Sequence, residues 1–116
     1  MAANIPFEQG ETRMNSGSEK ILIDYALRVV TGFDMSVTII VPAKSYCKQT
    51  PVSDINAKRV DNVKMFLVKK GIPENEIFAS PECTVIDSVK EDNLVVVETI
   101  GDRRRCFEEQ FGSNIP

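Results

Sequence analysis

Few residues in this chain could do chemistry. It has three cysteines, Cys47, Cys83 and Cys106, an arginine run at Arg103-Arg104-Arg105, and no histidine. The cysteines are too far apart for the paired-thiol spacing of a zinc or redox motif, so no metal site is expected. Without histidine the commonest general base is missing, and no serine or cysteine sits in a nucleophile motif, so the sequence argues against an enzyme and against a cofactor. The arginine run is followed by Glu108 and Glu109 and reads as a solvated surface turn. With 14 Lys plus Arg against 17 Asp plus Glu the formal charge is −3, which offers no basic field for nucleic acid.

The elements that must position these residues are those of one α/β domain spanning 1–116, with an ordered core at about 5–100 and a tail from 102. Leu22, Tyr25, Ala26, Val29, Val30 and Phe33 follow the three-and-four spacing of a helix face, and Asn15, Ser16 and Ser18 offer cap oxygens before it. Residues 35–41 are β-branched and almost continuously apolar, as in a strand covered on both faces. Pro42 should end that strand, and 42–51 should form a polar loop. A second helix then carries Ile55, Val60, Val63, Phe66 and Leu67, with Ser53 or Asp54 as cap and Gly71 after its last turn.

Short strands are expected at Ile5 to Glu8 and Glu76 to Ser80, mostly turn over 81–93, and a strong strand from Leu94 to Ile100 ending at Gly101. The order is βαβαββ, an α+β sandwich with two helices on one face of a mixed sheet. Residues Arg104 to Phe111 allow a short terminal helix, and 112–116 should fray. The first residues carry neither a basic region nor an apolar run, so no secretory signal is expected in this segment.

This order and several phrases resemble the OmpA-like domain of bacterial envelope proteins. Ile5-Pro6-Phe7-Glu8-Gln9-Gly10 is similar to its opening strand. Ile55-Asn56-Ala57-Lys58-Arg59-Val60, Val63, and Phe66-Leu67 through Gly71-Ile72-Pro73 resemble its second helix and the turn after it. The resemblance implies a non-catalytic module that holds the meso-diaminopimelate carboxylate of peptidoglycan. The family does so with an arginine on helix two, an aspartate at the end of the preceding strand and nearby loop residues. The arginine falls on Arg59, with Asn56 beside it, and a guanidinium fork suits a carboxylate. The aspartate falls on Lys44, the family's loop glycine on Cys47 and its asparagine on Val52. The family's Asn-x-Arg-Arg approach to the last strand is reduced to Asp92-Asn93-Leu94-Val95. A lysine facing the ligand's ammonium replaces attraction by a repulsion of roughly 1 to 4 kcal/mol, so the site reads as degenerate.

Taken alone, Arg59 reads as a solvated or salt-bridged helix arginine. Lys44, Tyr46 and Lys48 in the long loop read either as a tolerated connection or as a partner surface. The leading reading is a periplasmic protein-interaction component of an envelope-spanning secretion, conjugation or pilus assembly, attached to the outer membrane in the whole protein. The alternatives are a peptidoglycan anchor that binds through Arg59, and a cytoplasmic α/β regulatory domain. A parallel crossover between the strands at 37–41 and 77–80 would put Cys47 and Cys83 on one sheet end, where a disulfide is sterically allowed and an oxidising periplasm favours it. Three reduced, buried cysteines are the competing reading.

Overall fold

A computed structural model describes residues 1–44, 54–81, 84–85 and 93–103. The elements are β1 (Ala2–Pro6), α1 (Ser16–Gly32), β2 (Phe33–Lys44), α2 (Asp54–Lys69), a 3-10 turn (Glu74–Glu76), β3 (Ile77–Ala79), β4 (Thr84–Val85) and β5 (Leu94–Arg103). The sheet runs β1-β5-β2-β3, with β4 also pairing β2. Strands β1 and β2 flank β5 antiparallel, and β3 and β4 lie parallel to β2, so the sheet is mixed as expected.

Both helices cover one face of this sheet. Leu22, Tyr25, Ala26 and Val29 of α1 and Val60, Val63 and Leu67 of α2 share a core with Ile5, Ile40, Val95 and Val97 of the strands. Among the candidate caps of α1, Asn15 is the one used: its Oδ1 accepts from Ser18 N at 2.8 Å. Ser18 is instead fully buried and donates its hydroxyl to Pro6 O, tying the helix start to β1. Asp54 is the first residue of α2, and Ser53 lies outside the described residues. At the other end of α2, Gly71 takes φ +107°. Gly71 N then bonds Val68 O and Ile72 N bonds Leu67 O, both at 3.1 Å, the paired bonds that close a helix on a left-handed residue. Ile72 is thereby folded back into the core beside Leu67.

Four expectations are corrected. The first strand is Ala2–Pro6, not Ile5 to Glu8, because residues 8–11 turn: Glu11 N bonds Glu8 O at 3.0 Å, with Gly10 at φ +76°. Strand β2 does not stop before Pro42 but continues to Lys44. Ile40 O accepts from Ser80 N on the β3 side, and by strand alternation Pro42 turns its ring nitrogen to that same side. There the pairing passes from Ala79 of β3 to Thr84 of β4, so the missing N–H falls at a break in the ladder. Within the stretch read as turn, β4 pairs with Ala43 and Lys44. Finally, β5 runs through Gly101 to Arg103, so the first residue of the arginine run is strand, paired with Phe33, and not a surface turn. The remaining expectations for the tail, including a helix at 104–111, fall outside the described residues.

Inside the core a polar chain crosses the sheet. Tyr25 Oη donates to Met1 O at 3.2 Å and lies 2.6 Å from Thr99 Oγ1, itself 2.9 Å from Thr38 Oγ1. Each hydroxyl has one proton, so Thr99 donates to Tyr25 and Thr38 to Thr99. Burial pushes the Tyr25 phenol up to about 12, partly offset by the Thr99 hydrogen bond, with a small further rise from the nearby Glu98 carboxylate. The folded chain therefore holds this proton more tightly than the unfolded one. The contribution is complete below pH 10 and is lost as pH rises from about 10 to 12, amounting to roughly 3 kcal/mol. Urea unfolding at pH 8 and pH 11.5 should show this loss in the natural chain, and a markedly smaller one in Tyr25→Phe.

Candidate functional site

One end of the sheet gathers the segments on which the resemblance places a ligand. Strand β1 finishes there at Pro6, β5 begins there at Leu94, β2 finishes there at Lys44, and Pro6 and Ala43 both pair with Leu94. The N-terminal turn of α1 reaches the same end through the Ser18 bond to Pro6 O.

Arg59 stands on α2 and reaches this end, buried where a helix arginine read alone would be solvated, and among the described residues it forms no salt bridge. It is 3% exposed. Its Nε donates to Glu11 O at 2.6 Å, one Nη to Glu8 O at 3.0 Å and the other to Asn93 Oδ1 at 3.2 Å. The guanidinium carbon lies 5.0 Å from the centre of the Phe7 ring, a cation–π arrangement. None of these three acceptors is a carboxylate. Burial pulls the Arg59 pKa down from its ordinary value, yet an arginine remains protonated at any physiological pH.

The turn after β1 is shaped to meet this side chain. Its carbonyls face α2, and Glu8 O accepts from both Glu11 N and Arg59. Asn62, three residues along α2 and so on the same helix face, donates to Thr12 O at 2.7 Å. Phe7 N donates to Asn93 O at 2.8 Å, which brings Asn93 within reach of the guanidinium. Arg59 and Asn62 thus fasten residues 8–12 to the second helix. Three of the five guanidinium N–H groups are committed to protein oxygens, which leaves two, on a side chain that is buried.

The structure therefore brings Arg59 and the end of β2 at Lys44 to one end of the domain, through Asn93 and Leu94. Asn56 lies half-buried in the first turn of α2, inside the helix and not at a cap. Tyr46 and Lys48 of the expected partner surface, and Cys47 and Cys83 of the expected disulfide, lie outside the described residues. The parallel arrangement used to place the two cysteines is present, with Thr84, the residue after Cys83, paired to Ala43. Sequence reasoning missed the acceptors of Arg59. The usable signal was Glu8-Gln9-Gly10-Glu11, whose glycine suits the third position of a tight turn. Among the described residues no group of three or more Cys, Asp or Glu could hold a metal, and no helix is long and apolar enough to cross a membrane.

No family model matches the sequence, and no curated protein matches it. Solved structures do. The OmpA-like domain of FopA1 from Francisella tularensis subsp. tularensis SCHU S4 superposes with a TM-score of 0.65 at 10% identity, covering 89% of this chain and 73% of that one. The C-terminal domain of Helicobacter pylori MotB gives 0.62 at 12% identity, covering 86% and 85%. A MotB-like protein of Desulfovibrio vulgaris gives 0.59 at 14% identity, covering 89% and 75%. At these identities the likeness is one of fold: this chain has the OmpA-like fold.

Proposed function

We propose that this chain is a non-catalytic module of the bacterial cell envelope which keeps the OmpA-like framework but has turned its helix-two arginine from ligand binding to holding the domain together. The single observation that carries this reading is Arg59, buried and hydrogen-bonded to Glu8, Glu11 and Asn93. Lys44 at the end of β2, where the resemblance expects an aspartate, supports it. The domain then works mainly through protein contacts in a periplasmic assembly of the secretion, conjugation or pilus kind, attached to the outer membrane. Lys44, Tyr46 and Lys48 contribute to the partner surface.

Co-sedimentation with insoluble peptidoglycan sacculi tests this. The natural chain should stay in the supernatant under conditions that pellet an OmpA-like domain retaining the aspartate, and Lys44→Asp should raise the pelleted fraction. Strong pelleting of the natural chain would show that the glycan site is intact.

A further inference from the structure

The sheet face turned away from the helices carries four large apolar side chains in the open, Met35, Val37, Phe78 and Ile100, at 71, 49, 62 and 57% exposure. Strand alternation sets them there. Val37 pairs with Ile100 and Ile39 with Phe78, whereas the neighbouring Ile40 and Val97 belong to the core and Thr99 bonds Tyr25 within it. The acids of this face flank the apolar stripe on both sides. Asp102 pairs with Met35 and Glu98 with Ile39, so both project beside Ile100 on the β5 side, about 13 Å apart at strand spacing. On the β3 side Glu76, the residue before Ile77, borders the same depression of about 390 Å³ as Met35, Val37 and Ile100. No lysine or arginine among the described residues lines that depression, and none of the three acids forms an ion pair among them.

We infer that this face is the docking site of a cationic amphipathic helix from a partner protein. The helix lies along β2 with its apolar stripe on Met35, Val37, Phe78 and Ile100 and its lysines or arginines over Glu76, Glu98 and Asp102. The inference rests on the reading of the domain as a protein-contact module, and it involves neither Arg59 nor Lys44. Charge selects the occupant. A second copy of the face would set acid against acid, and an acidic helix would do the same, whereas a helix with a basic margin on each side of its apolar stripe meets opposite charge on both. Form follows from the surface being a sheet face. An extended strand docks on a sheet edge, where backbone groups are free to pair, but a face offers only side chains to pack against. Size agrees. The stripe from Met35 to Ile39 is about 13 Å long, and β5, β2 and β3 together span about 10 Å, the footprint of a helix about 10 Å across and about nine residues long. The almost continuously apolar run 35–41 is the pattern of a strand covered on both faces, and a docked helix supplies the second cover. Burial of the apolar stripe gives affinity, while the flanking acids fix orientation and partner choice.

The probe is a synthetic helical peptide of about 15 residues, with leucines along one stripe and lysines on both margins, titrated into the isotopically labelled natural chain. A counterpart peptide carries glutamates in place of the lysines. The lysine peptide should bind saturably below millimolar concentration and shift the amide signals of residues 35–39, 76–78 and 98–102, while the glutamate peptide should bind at least about tenfold more weakly. Glu98→Lys/Asp102→Lys keeps every apolar side chain of the face and should invert that preference, with the signals of Val60, Val63 and Leu67 unmoved as a report of the intact fold. If reversal within β5 disturbs the sheet, Glu76→Lys, which lies outside the strands, should weaken the lysine peptide instead. Absence of saturable binding, equal binding of the two peptides, or shifts confined to other surfaces overturns the proposal. So does a concentration-dependent dimer of the natural chain that covers residues 35–37 and 100, which would assign the face to a second copy. Failure here leaves the sacculus result, and with it the reading of Arg59, where it stands.

Discussion

Replacing Arg59 by alanine should destabilise the domain by about 3 kcal/mol, lowering the melting temperature by about 10–15 °C. The change leaves Glu8 O and Glu11 O short of a charged donor in a partly buried setting and removes the cation over Phe7. Hydrogen bonds from a charged group contribute about 1.5–3 kcal/mol each, discounted because the freed carbonyls can regain water once the turn loosens. Arg59→Lys should fall between the two. An ammonium can satisfy one of the three acceptors but cannot bridge them, since only the planar fork has donors pointing in several fixed directions. Asn93→Ala, which removes only the longest of the three bonds, should cost about 1 kcal/mol. An arginine serving a ligand would behave otherwise: exposed and free of intramolecular partners, it could be removed with little effect on melting. Thermal unfolding of the three variants reads the difference.

The second large effect is expected at Gly101. A Cβ built there would sit 2.0 Å from Met35 O and 2.6 Å from Ser36 Cα. Both are backbone atoms of the neighbouring strand, so no side-chain rotation relieves the clash, and β2 and β5 must separate locally. Gly101→Ala should cost about 3 kcal/mol, at the upper end of overpacking effects, read as a lower urea midpoint. Gly32→Ala is the matching control. It closes α1, has nothing within 4 Å of its built Cβ and lacks a positive φ, so alanine there should be neutral or slightly stabilising.

These two positions show where the sequence was readable and where it was not. The helices are legible because Leu22, Tyr25 and Val29, and Val60, Val63 and Leu67, repeat at helical spacing. The run 94–100 is legible because consecutive β-branched residues have few alternatives to a sheet. The extension of β5 beyond Gly101 is not: glycine commonly ends a strand, and only the close approach of Met35 O explains one inside it. Pro42 misleads in the same way, since its acceptability depends on a partner change between β3 and β4 that no local pattern announces. Strand β1 is displaced because Ala2, Ala3 and Asn4 have no strand-like pattern of their own. They are held by β5, with Thr99 N donating to Met1 O at 2.8 Å.

The candidate site divides similarly. That Arg59 would face the end of the sheet bearing Lys44 followed from matching the second helix to a known domain. What it does there did not, because two of its three acceptors are main-chain oxygens, of Glu8 and Glu11, whose direction depends on a turn 48 residues away in sequence. Backbone acceptors leave no trace in side-chain identity, so a buried arginine bound to carbonyls looks, in sequence, like one waiting for a ligand.

The central claim, that this OmpA-like fold has given up its glycan grip, is tested most directly by calorimetric titration of the natural chain with a soluble muropeptide carrying a free meso-diaminopimelate carboxylate. The expected result is no saturable heat below millimolar ligand, a binding free energy weaker than about −4 kcal/mol, for the natural chain and for Arg59→Lys alike. Micromolar binding by the natural chain, lost in Arg59→Lys while that variant remains folded, would contradict the account and return Arg59 to the ligand.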